Sequence, residues 1–477
     1  MVVYMLGQNR FQEMFSPTRL EDYVDEDSVC RVIDAFVNTL DLQARGFTNT
    51  QPHYVGRPAY DPKDLLKLYI YGYLNRVRSS RRLQREALLN IEVMWLLKKL
   101  TPDDRTICYF LTNNTEAIKE VFRDFNKLCL KMGLFGREMV SIDGSKIKAA
   151  NSRDNHYKKE DVEKKIEKLD KQITSFINEM AQNDRIEAQE EKINTKKTAD
   201  ILEALKTKKE KYEDIRKEIN ENDGNPVCTI DKDAALMKLS GGKGYDVCYN
   251  VQTAVDSKNG LVADFYVTNN CNDMAELSEM AGRAKEMLEV EKLVVLADTG
   301  YSTGKEIYAC EQNEITCYIT KPEASHQPEN EKYHRDNFKY DVEKDQYTCP
   351  EGNTMDYVRT RERDGKRVYA NRSACINCPS KEMCTKSKTL REIERNPYQE
   401  FVDRANANAK ENPDIYRQRR MLSEHPFGVI KQKWNQNQYQ RRGKEKVTGE
   451  TSLSFLAFNL RRALNILGVQ KILEALV

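Results

Sequence analysis

The 477-residue sequence lacks long apolar runs and has few histidines. No stretch of about 18 apolar residues occurs, which excludes a transmembrane helix and a membrane partner. The first residues have too short an apolar run and no leading positive charge, so no signal peptide is expected. Only five histidines are present, and none belongs to a convincing histidine triad or zinc-hydrolase motif. We therefore expect a cytoplasmic protein whose twelve cysteines are core residues or metal ligands.

Net charge is nearly absent as well. The 77 Lys and Arg against 75 Asp and Glu leave +2, which by itself argues against a nucleic-acid partner. The sum hides two basic segments. Residues 67–105 hold nine Lys or Arg against four Asp or Glu, and residues 415–446 hold nine against two. Overall charge consequently does not exclude binding to nucleic acid.

The N-terminal part reads as a bundle of short helices. From Asp61 apolar residues recur at three- and four-residue spacing, and tight turns follow, as in a helix-turn-helix-like domain. Five arginines and no acidic residue occur between positions 76 and 85. This cluster indicates phosphate contact, with a solvated helix face as the alternative. The arginines are Arg76, Arg78, Arg81, Arg82 and Arg85.

Residues 158–223 form a highly charged segment with a second helical pattern. More than half of these residues are charged, and apolar residues from Val162 to Met180 alternate steps of four and three, the coiled-coil spacing. Ile186 and Ile193 continue the pattern beyond a polar break. The pattern predicts a helical hairpin inserted into another domain, with solvated charges and a seam suited to a partner.

The remaining pattern alternates strands and helices. Apolar strand patterns occur in MVSIDGSKIKAA, YDVCYNVQTAVDS, GLVADFYVTN, KLVVLADTG and ITCYITKP. Without the hairpin and the cysteine-containing segment 323–400, the order is three strands, then helix, strand, helix, strand, helix. That order predicts an α/β layered fold with two large insertions.

Three carboxylates are candidate metal ligands. Asp143 and Asp298 lie at the ends of apolar strands, where α/β folds bind ligands, although an Asp before Gly can also cap a turn. Glu424 lies on a predicted helix, where Arg420 could pair with it. Three converging carboxylates would repel by about 4 kcal/mol per pair at 4 Å. Two Mg²⁺ or Mn²⁺ ions would remove that penalty and serve phosphodiester chemistry.

Six stretches in order make the sequence similar to a known family. They are SIDGSKIKAANS, GYDVCYNVQTAVD, NNCNDMAELSEM, LADTGYST, EHPFGVIKQ and TSLSFLAFNLRRAL. Together they resemble a DDE transposase of the bacterial insertion-sequence kind, which has an RNase H-like catalytic domain. The resemblance implies that Asp143, Asp298 and Glu424 are the metal-binding triad.

The family's Tyr-Arg-Glu-Lys signature also has counterparts here. It maps Arg420 and Lys431 onto residues that hold the transposon end. Its tyrosine would be Tyr416, one residue further from Arg420 than in the family. Pro426 disfavours helix just before it, which argues against one straight helix through Glu424 and Lys431.

Further basic and aromatic residues follow Glu424. Such a composition suits phosphate contact and base stacking near a DNA end, although Trp434 could instead be a core residue. The candidates are Lys433, Trp434, Arg441 and Arg442.

Four cysteines form a C-x25-C-x2-C-x5-C pattern. One close pair with two outlying thiols could make a structural Zn²⁺ site, and reduced thiols without a ligand are the alternative. The four are Cys349, Cys375, Cys378 and Cys384.

We predict a transposase that cuts transposon ends and transfers the 3′ ends to target DNA as a homodimer or higher oligomer. A nuclease without strand transfer and an inactive DNA-binding regulator are the alternatives. The predicted parts are a helical DNA-binding domain, a catalytic domain in three pieces, the hairpin, and the cysteine insertion. In chain order their boundaries are 1–135, 136–157, 158–223 (hairpin), 224–322, 323–400 (cysteine insertion) and 401–477.

Overall fold

Helix caps mark the start of the N-terminal helices in the computed structural model, which describes residues 19–51, 58–187, 195–239, 244–322 and 328–477. The Asp61 side chain accepts a hydrogen bond from the Lys63 N–H at 2.8 Å, and Pro62 occupies the first helical position. Asp103 caps a later helix in the same way. The helices are α1 (Val29–Thr39), α2 (Pro62–Leu74), α3 (Ser80–Leu89), α4 (Ile91–Leu96), α5 (Asp104–Asn113) and α6 (Thr115–Lys131). A specific helix-turn-helix motif among them stays a prediction.

The C-terminal helical segment, Lys444–Glu474, has a kink at Gly468 and is grouped mainly with these N-terminal helices. The chain divides into one unit of Met1–Met132 with Thr448–Val477 and a second unit of Gly133–Val447. Inside the first unit, Asn459 donates to the side chain of Asn126 at 2.8 Å, and Arg461 donates to the Leu74 carbonyl at 2.7 Å. The predicted boundaries kept residues 401–477 together, whereas this division separates them at Thr448, because residues 449–460 are buried throughout.

A six-stranded mixed sheet forms the centre of the second unit. Its strands are β1 (Met139–Lys148), β4 (Ala235–Lys238), β5 (Tyr245–Asp256), β6 (Val262–Thr268), β7 (Leu293–Leu296) and β8 (Ile315–Tyr318). The order is β4-β5-β1-β7-β8, with β6 also paired to β5. The pairs β1–β7 and β7–β8 are parallel and the others antiparallel. Helices α9 (Leu277–Leu288) and α10 (Gly304–Gln312) connect the parallel strands. The predicted α/β class is confirmed, and the sheet is compatible with an RNase H-like domain.

Two long helices interrupt this sheet between β1 and β4. They are α7 (Lys159–Glu187) and α8 (Thr195–Glu221), with the short strands β2 (His156–Tyr157) and β3 (Val227–Cys228) at their base. Val162 and Ile166 of α7 pack with Ile215 and Ile219 of α8 in a buried cluster. The predicted seam positions at Met180, Ile186 and Ile193 lie outside the described side chains, so a coiled coil stays a prediction.

The cysteine-containing insertion has its own antiparallel sheet. Its strands are β9 (Lys339–Asp341), β10 (Gln346–Thr348), β11 (Thr354–Thr360), β12 (Arg367–Ala370) and β13 (Ile393–Arg395). Two short helices, α11 (Arg372–Ile376) and α12 (Lys381–Cys384), lie between the last two strands. Phe338, Tyr347, Met355, Tyr369 and Ile393 form its core. These strands were not expected from the sequence.

Three helical segments complete the second unit. They are α13 (Gln399–Glu411), α14 (Pro413–Phe427) and a π-helix at Gly428–Lys433. Helix α14 packs against β1 and β5, which places it beside the centre of the mixed sheet. Among the described helices, none combines the length and apolar character that a membrane span requires.

Candidate active site

Two carboxylates lie side by side near the carboxyl end of β7. Asp143 lies within β1, and Asp298 comes two residues after the end of β7. The two strands are parallel with Ser141 opposite Leu296, so the two aspartates, each two residues further on, come side by side. Asp143 was expected at a strand end, but β1 continues five residues beyond it. Asp298 also caps a 3₁₀ turn by accepting a hydrogen bond from the Gly300 N–H at 2.7 Å.

Asp143 is a buried carboxyl with a second carboxylate beside it. Burial, followed by the nearby carboxylate of Asp298, raises the pKa of Asp143 to about 6. The backbone N–H of Gly144, the charge of Arg419 and the hydroxyl of Ser423 act in the opposite direction but do not offset the rise. A hard divalent cation between the two aspartates would relieve the repulsion, so the pair fits such an ion.

Glu424 is not brought to this pair. Its carboxylate forms an ion pair with Arg420, with Nε and Oε1 3.0 Å apart, and the two side chains are 61% and 78% exposed. Within the described residues, no three His, Cys, Asp or Glu side chains are arranged to hold a metal ion. The structure therefore assembles two of the three predicted carboxylates.

A different face of α14 meets the sheet. Tyr416 donates a hydrogen bond to the Ala297 carbonyl at 3.2 Å, and the Ser141 hydroxyl donates to the Arg419 carbonyl at 3.1 Å. Ser423, seven residues after Tyr416, is fully buried beside the aspartate pair. Residues 416, 419 and 423 share one helix face, and the exposed ion pair lies on another. Sequence reasoning missed Arg419 and Ser423, although their helical spacing from Tyr416 could have identified them.

The end of α14 changes its helical register. The expected break before Pro426 is wrong, since α14 continues through it, and the irregularity is the π-helix Gly428–Lys433. Lys431 donates to the Lys146 carbonyl at 2.8 Å, so it faces β1. Seven residues would put Glu424 and Lys431 on one face of a regular helix. The wider π turns alter that register, and the two side chains have different environments.

The basic segment after α14 contributes both buried and exposed side chains. Trp434 is 5% exposed, which favours the core alternative over base stacking. Lys433 is exposed, and Arg441 is partly exposed. Arg442 is exposed and donates to the Ala150 carbonyl at 3.1 Å. Lys433, Arg441 and Arg442 therefore remain candidates for contact with phosphate.

The arginine cluster of the N-terminal unit also contains both buried and exposed side chains. Arg78 forms an ion pair with Glu450 at 2.9 Å and is largely buried. Arg81 is 87% exposed and lies 3.4 Å from Asp104. The other exposed members are Arg76, Arg82 and Arg85. The exposed arginines suit a phosphate backbone better than Arg78 does.

The four predicted zinc ligands line one small cavity of about 30 Å³ in the insertion. Burial raises the pKa of the Cys384 thiol, and the other three thiols are close enough to raise it further, whereas Arg391 lowers it. Four thiols are a donor set that Zn²⁺ prefers. Their donor chemistry fits the ion, but their spacing in this structure does not form a closed ligand set.

We expect purified protein to contain about one zinc per chain, because four thiols that line one cavity can close around this ion and bind it tightly once deprotonated. Metal analysis of the wild type and of Cys378→Ser measures it, and the variant should lose the zinc. Cys108→Ser, a change at a partly buried cysteine of the other unit, is the matched control and should retain it. Well under one zinc per wild-type chain would contradict the prediction.

Comparison with protein families agrees with the resemblance. Residues 348–464 match a family model described as a transposase DDE domain, and residues 18–113 match a transposase domain, DUF772. No curated protein and no solved structure matches the chain significantly. Glu424 and the four cysteines fall inside the first match, whereas Asp143 and Asp298 lie between the two matches. The matches are consistent with a DDE transposase of the insertion-sequence kind and indicate a transposase role.

Proposed function

We propose that this chain, which carries two transposase-family domains, cleaves transposon ends and transfers their 3′ ends to target DNA. The observation that carries the proposal is the pair Asp143 and Asp298, brought together by the adjacent parallel strands β1 and β7, where burial and then repulsion from Asp298 raise the pKa of Asp143 to about 6. The transposase family implies dependence on a divalent metal and binding to DNA. Among the described residues, the aspartate pair is the site best suited to hold a divalent metal ion that acts on DNA.

In this proposal Asp143 and Asp298 hold the metal. Two Mg²⁺ or Mn²⁺ ions, when bound, would activate a water or a 3′-hydroxyl and stabilise the leaving oxygen. Arg419 adds positive charge beside Asp143, where the phosphodiester would approach. Strands β1 and β7 are joined by backbone hydrogen bonds, so they would keep the two carboxylates at a constant separation while the DNA is cleaved and joined.

Glu424 would be the third ligand, which requires it to leave Arg420. An exposed ion pair is worth about 0–1 kcal/mol, so separating the two side chains costs little. A DNA phosphate can replace the carboxylate on Arg420, since guanidinium groups bind phosphate well. The transposon end would then both engage Arg420 and release Glu424 toward the aspartates. Lys431 would hold the same end from its place against β1.

DNA would contact both units in this proposal. The exposed arginines at positions 76–85 and the basic residues that follow α14 suit the phosphate backbone of terminal inverted repeats and target DNA. The hairpin α7–α8 would dimerise subunits or clamp DNA, and the protein would act as a homodimer or higher oligomer. The cysteine insertion would be held together by Zn²⁺.

A strand-transfer assay tests the proposed function. Pre-cleaved transposon ends incubated with the protein, Mg²⁺ and target DNA should become joined to the target through their 3′-hydroxyls. Ends that terminate in a 3′-dideoxynucleotide are the control and should give no joined product. Cleavage without joining would instead support a nuclease, and binding without cleavage an inactive regulator.

A further inference from the structure

A chain of buried and partly buried hydrogen bonds lies next to the aspartate pair. The Tyr301 hydroxyl donates to Gln252 Oε1 at 2.5 Å, and Gln252 Nε2 donates to Asp273 Oδ1 at 2.6 Å. Asn250 also donates to Asp273 Oδ1, at 2.8 Å. Tyr301 and Gln252 are completely buried. We call Tyr301, Gln252 and Asp273 the tyrosine clamp.

The tyrosine clamp ties the segment that carries Asp298 to a strand two positions away. Tyr301 lies three residues after Asp298, in the 3₁₀ turn that Asp298 caps. Gln252 lies on β5, and β1 with Asp143 lies between β5 and β7. The side chain of Tyr301 must therefore reach across β1 to meet Gln252.

Gly144 shows how closely the tyrosine clamp crosses β1. It pairs directly with Gln252 in the sheet. A Cβ atom at position 144 would lie 2.5 Å from Asp273 Oδ1 and closer still to Gln252 Nε2. Glycine after Asp143 is thus explained by this close approach, because β1 is extended there and the residue forms no turn. The sequence pattern Asp-Gly arises here from packing against polar side chains.

The environment keeps Tyr301 a neutral hydrogen-bond donor. Burial raises the pKa of Tyr301 well above its usual range, and the nearby carboxylates of Asp273, Asp143 and Asp298 raise it further. All three aspartates are therefore close to this one side chain. A buried hydrogen bond of this kind is costly to remove, since Gln252 Oε1 would lose its donor.

We propose that Tyr301, Gln252 and Asp273 are positioning residues that fix Asp298 against Asp143 for metal binding. The inference rests on the proposed function, because it assumes that the aspartate pair binds a divalent ion. In this proposal the tyrosine clamp acts through Asp298 and Asp143 and is not itself a metal ligand. It sets the separation of the two carboxylates through the 3₁₀ turn on one side and through β5 and β1 on the other.

Mn²⁺ binding to the full chain, measured by isothermal titration calorimetry without DNA, tests this proposal. Tyr301→Phe removes only the hydroxyl, and we expect it to weaken Mn²⁺ binding about fivefold to tenfold. The matched control is Tyr249→Phe. Tyr249 is equally buried in the same sheet and donates to Asp231 Oδ1 at 2.7 Å. The control should lose thermal stability to a similar degree but bind Mn²⁺ as the wild type does.

Two further variants separate the possible failures. Asp273→Asn, measured in the same way, should also weaken Mn²⁺ binding and replaces Tyr301→Phe if that variant does not fold. Wild-type Mn²⁺ affinity in both variants would overturn the positioning role. Asp143→Ala should abolish the binding. If Asp143→Ala bound Mn²⁺ as the wild type does, the metal site of the proposed function would fail, and the positioning role with it.

Discussion

Asp143→Asn should reduce the rate of DNA cleavage by roughly 10³-fold or more. The same substitution should raise the thermal stability of the metal-free protein at pH 7. Cleavage is lost because a neutral amide cannot replace a carboxylate as ligand, and the metal contributes several kcal/mol to the reaction. Stability rises because the structure holds this carboxylate beside Asp298 in a buried site, where ionisation is unfavourable.

The pH dependence of that stability gain follows from the direction of the pKa shift. Folding raises the pKa of Asp143 from 3.8 to about 6, so the folded protein binds this proton more tightly than the unfolded chain. The wild type therefore loses stability as the pH rises from about 4 to about 6, and the variant does not. Melting curves in EDTA at pH 4 and pH 7 should differ between the two proteins only at the higher pH.

Asp256→Asn is the matched control for this prediction. Asp256 is a buried carboxylate in the same sheet, and it accepts hydrogen bonds from the backbone N–H groups of Gly136, Arg137 and Lys258 at 2.8 to 3.1 Å. Burial raises the pKa of Asp256 as well, but Asp256 is not a proposed metal ligand, so its replacement should leave cleavage unchanged. Asp143→Asn with normal cleavage, or with reduced stability at pH 7, would contradict the proposed site.

Glu424→Gln should reduce cleavage by about 10²-fold with no measurable change in melting temperature. The loss is expected because the variant lacks the third carboxylate of the metal site, which is worth a few kcal/mol in the transition state. Stability should not change because the Arg420–Glu424 pair is largely exposed, and such pairs contribute about 0–1 kcal/mol. Single-turnover cleavage at saturating DNA and Mg²⁺, together with melting curves, measures both effects.

Asp414→Asn provides the control for Glu424. Asp414 is a 92% exposed acid on the same helix, and it pairs with Arg417 at 3.3 Å. It therefore matches the exposure and the ion pair of Glu424 without the predicted role. If Glu424→Gln cleaved DNA as fast as Asp414→Asn, Glu424 would not be the third ligand, and the face with Arg419 and Ser423 would have to supply the remaining contacts.

The aspartate pair could be predicted from local pattern, and the position of Glu424 could not. Strand periodicity before Asp143 and Asp298 is a property of short segments, and parallel neighbouring strands bring such positions to one edge. The orientation of Glu424 depends on which face of α14 packs on the sheet and on the π-helix after Phe427. One residue more or less rotates a helix by about 100°, so a small uncertainty in register decides between Ser423 and Glu424.

The cysteine-containing insertion could also be predicted only in part from the sequence. Its five strands are three to seven residues long, and β11 is exposed at six of its seven positions, so alternation is weak. Its core depends on aromatic residues such as Tyr340, Tyr347 and Tyr369, whose rings pack across strands. Strand preference depends on the packing of side chains against their cross-strand neighbours, so such short strands leave little signal in the sequence. The spacing of the four cysteines could be read from the sequence, but the cavity that they line together could not.

The sequence by itself determined the helical N-terminal part, the α/β class, the two insertions and the choice of Asp143 and Asp298 as candidate residues. These features follow from hydrophobic periodicity and charge along short stretches of chain. Only the tertiary structure decided that residues 448–477 group with the N-terminal helices, that Ser423 and not Glu424 lies beside Asp143, and that Tyr301 reaches Gln252 across β1. Each of these depends on side chains that are far apart in sequence, and the energies that select among such contacts are set by packing and burial.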